Sequence, residues 1–271
     1  MLRSLFDALV TVTEIDVCAA LVFMWFERLR PSIPEQRRIR RGTWLDVGYV
    51  YFATVFGLFT TFLGFGKAMD ALGASQSTFV LKLHAGSAAL PFAAQLAVAV
   101  VLTDFTGYWK HRVMHTSLLW PFHAVHHSSE EVDWLSNERV HPIEMFMTSI
   151  FFIVPLVLLG MPGVVIAWAT QIRRFHSVYE HANLRIDYGR GHYVLVSPTF
   201  HRWHHSTDPE WTDMNFANIF STFDWIFGTF KLPTRAPAKD SFGVPGFPRD
   251  FLGQTLRPFR DAAYSALRLR T

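Results

Sequence analysis

The residues able to do chemistry in this chain are above all its histidines. His111 and His115 stand four apart in Lys110-His111-Arg112-Val113-Met114-His115. His123-Ala124-Val125-His126-His127 follows, and His201-Arg202-Trp203-His204-His205 nearly repeats it. On a helix, spacings of three and four put side chains on one face. The adjacent histidine of each triple lets the same helix reach a further ligand position. Neutral imidazole is the commonest side-chain metal ligand. The pair and the two triples supply eight rings, and His181 makes a ninth. One zinc ion needs about four ligands, so the surplus points to two ions, which need roughly eight to ten. Without a metal, such density is unfavourable, because protonated imidazoles repel one another.

Other residue types narrow the chemistry. Cys18 is the sole cysteine, which excludes a thiolate cluster and an internal disulfide. Ligating histidines usually donate their second ring N–H to a carboxylate or a carbonyl. Asp104, Glu138, Glu144, Glu180, Asp208, Asp213 and Asp224 lie near the motifs, and Asp104 and Glu144 are the expected supports. His141, just before Pro142, is expected to bind metal or to back a residue that does. His84 and His192 read as ordinary hydrogen-bonding histidines.

The elements that must position these residues are apolar. Half of the 271 residues are hydrophobic and only 17% are charged, against roughly 25% in soluble domains. Stretches 5–26, 45–65 and 90–108 approach the ~20 apolar residues of a bilayer span. A fourth apolar block, 145–170, is broken by Gly160-Met161-Pro162-Gly163, a helix stop and turn. A hairpin there would bring the earlier and later histidines to one side. The first stretch lacks a cleavage site and reads as a retained span. Arg28, Arg30, Arg37, Arg38, Arg40 and Arg41 crowd the loop between two apolar runs. The positive-inside rule explains that cluster better than nucleic acid does, and puts the loop and the histidines on the cytoplasmic side. Residues 67–86 then form an outer loop. The expected fold is all-α, a multi-pass transmembrane helical bundle with a cytoplasmic histidine-rich helical cap. One domain covers 1–271, with spans mainly in 1–103, the histidine region in 104–233 and a tail in 234–271.

The order of motifs resembles the fatty acid hydroxylase / sterol desaturase superfamily of integral-membrane di-iron oxygenases. The resemblance runs from Asp104 to about Pro233. It begins with Asp104-Phe105-Thr106-Gly107-Tyr108-Trp109-Lys110-His111-Arg112 and continues through His123 to Ser128 and Asn137-Glu138-Arg139-Val140-His141-Pro142. His181-Ala182-Asn183-Leu184, the triple at His201, Asn215-Phe216 and Phe227-Gly228-Thr229-Phe230 complete it. One departure is Phe223-Asp224-Trp225 where Trp-Asp is common.

The resemblance implies a catalytic, metal-binding set of His111, His115, His123, His126, His127, His181, His201, His204 and His205, with His141 as a tenth metal-binding position. It also implies two iron ions, O₂ as cosubstrate and a lipid substrate. Zinc is able to replace iron in purified material. No flavin, haem or iron–sulfur motif stands in this sequence, so electrons are expected from a separate partner, a cytochrome b5-like protein, a ferredoxin or a reductase. Hydroxylation of an unactivated C–H bond is the leading expectation and desaturation the alternative. A membrane metal-binding protein without activity is a third reading, but it would place polar ligands within the spans. The expected location is a membrane, the bacterial inner membrane ahead of the endoplasmic reticulum.

Overall fold

The computed structural model describes residues 17–60 and 77–268. Among them the chain is helical, with no strand beyond an isolated bridge between Pro31 and Leu184. Residues 17–29 are helical. The named helices are α1 (Thr43–Thr60), α2 (Thr78–Ala88), α3 (Phe92–Met114), α4 (Trp120–His127), α5 (Pro142–Leu158), α6 (Gly163–His181), α7 (Pro198–His204), α8 (Thr222–Phe227) and α9 (Phe251–Arg268). Proline sets several starts: Pro121, Pro142 and Pro198 occupy first-turn positions of α4, α5 and α7. There the missing N–H costs nothing and φ is already helical.

Helix α3 packs against both α5 and α6. Ala99, Leu156, Val157, Met161, Val165, Ile166 and Ala169 form the core between them. The chain reverses between α5 and α6 as the glycines and proline predict. Gly160 has φ +68°, its N–H reaches Val157 O at 2.9 Å, and Met161 N reaches Leu156 O at 3.0 Å. That pair of bonds closes a helix end around a left-handed residue, which glycine adopts without strain. A Cβ at Gly160 would also lie 2.5 Å from the His84 ring, so this turn has two reasons to exclude other residues.

Several expectations change here. The segment 67–86 is not simply a loop, because α2 begins at Thr78; residues 67–76 lie outside the described residues. The stretch 45–65 corresponds to α1 as far as Thr60, and 61–65 lie outside. The same holds for residues 5–16 of the first apolar stretch. Among the described residues one helix, Phe92–Met114, is long and apolar enough to cross a bilayer, and Pro142–Leu158 is a shorter apolar helix.

The arginine loop does more than carry charge. Arg40 is buried, donating to Asp133 at 2.6 and 2.7 Å and to Asp46. Asp46 also accepts from Arg139 Nε at 2.5 Å. These four side chains lock the start of α1 to the chain that follows α4. Removing one partner from a buried ion network strands the others and costs about 3–5 kcal/mol. Asp46→Ala is therefore expected to lower the unfolding free energy by about that amount, whereas alanine at exposed Arg38 leaves it unchanged. Denaturant unfolding of the detergent-solubilised protein measures both.

Candidate metal centre

Helix α3 carries His111 to its last turn, and His115 caps it. Helix α4 presents His123, His126 and His127, and α7 presents His201 and His204, with His205 as its cap. His181 ends α6. These nine rings converge into two abutting groups. His111, His115, His123, His127 and His204 form one; His126, His181, His201 and His205 form the other. Within each group one nitrogen per ring lies within 4.8 Å of all the rest. The groups meet where the His127 and His205 rings stack at 4.3 Å between centroids.

The outer nitrogens explain the ring orientations. His111 Nδ1 bonds Phe216 O at 2.8 Å, and His204 Nδ1 bonds Met214 O at 2.8 Å. His126 Nδ1 reaches Arg139 O at 3.2 Å, and His181 Nδ1 reaches Ser177 O at 2.7 Å. His123 Nδ1 meets Glu144 Oε2 at 2.9 Å, and His115 Nδ1 meets Asp213 Oδ1 at 2.9 Å. Each acceptor takes a proton from Nδ1, which fixes the tautomer and leaves the Nε2 lone pair facing inward. Pairs of inward Nε2 atoms then stand only 3.0–3.2 Å apart. Lone pairs crowded this way repel unless a cation lies between them. With metal–nitrogen bonds of about 2.0–2.1 Å, neighbouring ligand atoms sit about 3.0–3.4 Å apart. His115 Nε2 and His204 Nε2 are buried with no hydrogen-bond partner. The donor set fits two metal ions.

Burial keeps the rings neutral. It pulls His123 down to about 3 and His126 to about 4, despite the opposing charge of Glu144. Burial likewise holds His127, His181, His201, His204 and His205 well below the ordinary imidazole range, and their neighbours' charge adds to it. Neutral imidazole is the form that binds metal.

His141 joins neither group. It caps α5, accepting from Ile143 N at Nδ1 over 3.1 Å, while Nε2 bonds Thr255 O at 3.0 Å. Both nitrogens are engaged, so its position before Pro142 gives it a capping post and not a ligand position. Of the two expected supports, Glu144 backs His123 and also pairs with Lys110 at 2.6 Å. Asp104 touches no histidine: it accepts from Ile219 N, Phe220 N and Arg173. Asp224 similarly accepts from Phe216 N at 2.7 Å and Ala217 N at 2.9 Å. Both carboxylates hold the 214–220 loop whose carbonyls orient His111 and His204. Asp213, one of the seven carboxylates near the motifs but not one of the two expected supports, backs His115, and the carbonyls carry no signal in the sequence. A backbone acceptor leaves no trace in residue type, and Asp213 is set by its positive φ of 57°.

A cavity of about 280 Å³ opens onto His111, His123, His126, His181 and His201. Its far wall comes from α3, α5 and α6, including Thr148, Phe152 and Thr170. Arg173 crosses it, stacked 4.0 Å from the Phe152 ring centre and paired with Asp104 at 2.8 Å. Gly107 makes room, since a Cβ there would lie 2.8 Å from the Arg173 guanidinium. Glu180 is buried beside the cavity. Its Oε1 accepts from Asn218 at 2.6 Å, and its Oε2 stands 3.8 Å from His201 Nδ1.

Comparison with known proteins gives consistent matches. The fatty acid hydroxylase family model matches residues 96–229. An ornithine lipid hydroxylase of Rhizobium tropici is 28% identical over 236 residues, 86% of this chain and 71% of that protein. Alkylglycerol monooxygenase of Danio rerio is 36% identical over 134 residues, 49% of this chain and 30% of its own length. Methylsterol monooxygenase 2-2 of Arabidopsis thaliana is 29% identical over 142 residues, covering 51% and 53%. The chain thus spans about a third to a half of the last two relatives. No solved structure matches it.

The purified chain, reconstituted anaerobically with iron, is expected to hold about two ions. Glu144→Ala should weaken metal retention by roughly 10- to 100-fold, because His123 loses the acceptor that orients it. Elemental analysis against a graded chelator reads both numbers. One ion in the parent, or unchanged retention in the variant, contradicts the arrangement.

Proposed function

The chain belongs to the fatty acid hydroxylase / sterol desaturase superfamily, and on that premise we propose that it hydroxylates an unactivated C–H bond of a membrane lipid, using O₂ at a di-iron centre. The observation that carries this reading is the convergence of nine imidazoles into two abutting groups, five of whose rings face a cavity lined by α3, α5 and α6. The two groups of histidines would hold one iron each. Bound iron would supply the reduction of O₂ and the attack on carbon.

The chain's own residues do the rest. The outward hydrogen bonds keep the rings aimed, so little reorganisation accompanies binding. Phe152 and Phe216 present apolar surface to the lipid, and the Lys110–Glu144 and Arg173–Asp104 pairs keep charges inside the cavity compensated. A lipid enters between α3, α5 and α6 from the side, since these helices line the cavity. The names of the relatives make an ornithine lipid the first substrate to try, then an alkylglycerol or a methylsterol. Electrons come from a separate carrier protein.

We place the enzyme as a multi-pass protein of a bacterial inner membrane, with the histidines on the cytoplasmic side. The arginine-rich loop 28–41 supports that orientation through the positive-inside rule. Single cysteines at exposed Ser117 and Thr207, in a Cys18→Ser background, should label only from the cytoplasmic face of sealed vesicles. A cysteine at Ala88 should label only from the other. Labelling of Ser117 and Thr207 from opposite faces contradicts the hairpin orientation.

The reaction is tested by growing cells that express the chain under ¹⁸O₂ with a competent reductase. Lipid mass spectrometry should find a product carrying one labelled oxygen. His126→Ala and His204→Ala should abolish it. An unlabelled alkene formed with consumption of O₂ would establish desaturation instead, and parental behaviour of both variants would overturn the metal-centred reading.

A further inference from the structure

Helix α9 closes the chain against the metal-bearing region. Gln254 is 1% exposed, wedged between Tyr49 Oη, Ser128 Oγ and Pro248 O. Pro258 is buried as well, so one face of α9 is fully used. That face packs on α4, the helix of His123, His126 and His127. The opposite face is apolar and open. Leu252 is 65% exposed, Leu256 58% and Phe259 50%, and Ala263 is exposed too. Their spacing of i, i+4, i+7 and i+11 is a single stripe on a helix. A soluble helix would place this stripe inward and its polar residues outward; α9 carries an apolar stripe in addition to its packed face.

Two observations identify what covers the stripe. The first is continuity. Phe259 meets the His141 ring at 5.5 Å and the Phe122 ring at 5.3 Å, at the start of α5. Along α5 the exposed residues Phe146, Ile150, Val154 and Leu158 form their own i, i+4 line. Phe251 packs on Tyr49 and Phe52 of α1, where Tyr51 and Val55 are exposed. Phe259, at the edge of the stripe, therefore carries it to the start of α5 and its exposed apolar line, while Phe251 ties the first turn of α9 to α1. The second is charge. The helix holds Arg257, Arg260 and Arg268 against one acid, Asp261, and Arg260 is exposed beside the stripe. An apolar stripe edged by arginine suits the boundary between acyl chains and anionic headgroups.

We propose that α9 lies in the interface of the lipid bilayer, with Leu252, Leu256 and Phe259 sunk below the headgroups, and so holds α4 at the membrane surface. The proposal rests on the membrane placement argued above. Arginine near an anionic surface adds attraction, while the apolar stripe sets the depth. Because α9 packs directly on the ligand-bearing α4, the bilayer contact fixes the height of the histidines relative to the lipid to be oxidised.

The test uses the full chain, reconstituted in phosphatidylcholine vesicles containing phosphatidylglycerol. An environment-sensitive fluorophore is attached to a single cysteine at Leu256, at Leu252, at Ile150 or at Lys239, each in the Cys18→Ser background. With brominated acyl chains, emission from Leu256 and Leu252 should fall by roughly half or more, as at Ile150, while exposed Lys239 stays unquenched. Quenching at Ile150 with none at either α9 position overturns the proposal and leaves the membrane placement intact. Absence of quenching at Ile150 itself overturns that placement and the proposal together. Protection from aqueous iodide at Leu256 without lipid quenching would identify a second protein surface as the cover, and also overturns it.

Discussion

The structure depends on one constraint: every ligating imidazole must offer a lone pair inward, so its proton must be held outward. Six of the nine rings meet this through Nδ1 bonds of 2.7–3.2 Å to a carbonyl or carboxylate. Imidazole has two tautomers of similar energy, and a ring without an outer acceptor is free to present N–H to the centre instead. The scaffold is therefore best understood as a way of delivering acceptors to defined places around a ring of histidines.

That view assigns work to parts of the chain far from any ligand. Phe216 O and Met214 O can serve only if their loop is rigid. Asp224 and Asp104 pin it through four backbone N–H groups, and Asn215 adds a reciprocal pair of bonds to Lys231. Arg139 provides the carbonyl for His126 and places its guanidinium in the buried network with Asp46 and Arg40. The arginine loop is thereby linked to a metal-facing ring through one residue. The turn at Gly160 acts at longer range: by reversing the chain it returns α6, and with it His181, to the side where α3 delivers His111.

Side-chain chemistry at short helical spacing was legible in the sequence. The pair and both triples announce shared faces, and the structure brings all eight of those rings together with His181. The break at Gly160 to Gly163 was legible because glycine and proline act locally. What the sequence hid was of four kinds. Backbone acceptors carry no residue signature. Asp104 looked like a histidine support because it precedes His111 by two helical turns, yet it faces the 219–220 backbone and Arg173. His141 looked like a ligand by motif order, while the proline after it favours a helix start, where its Nδ1 is consumed as a cap. Helix α2 was missed because Thr78–Ala88 mixes Lys82, His84, Gly86 and Ser87 with only four large apolar residues, which is a weak periodic signal.

The composition of the site also bears on its charge. Nine neutral imidazoles add no negative charge, so a divalent ion among them keeps its full charge in a buried place. Burying uncompensated charge is costly, and the cost is met only if opposite charge stands nearby. Glu144 and Glu180 are the buried carboxyl groups that stand against His123 and His201, one in each histidine group. Glu144 is shared with Lys110, whereas Glu180 accepts from the amide of Asn218. Burial raises the Glu180 carboxyl well above the ordinary range, toward its neutral form, whereas His123 and Lys110 hold Glu144 well below it, so of the two only Glu144 places negative charge behind its group. A ring backed by a carboxylate is a stronger donor than one backed by a carbonyl. The fold accordingly distinguishes its two histidine groups through what lies behind them, although the ligating atoms are the same.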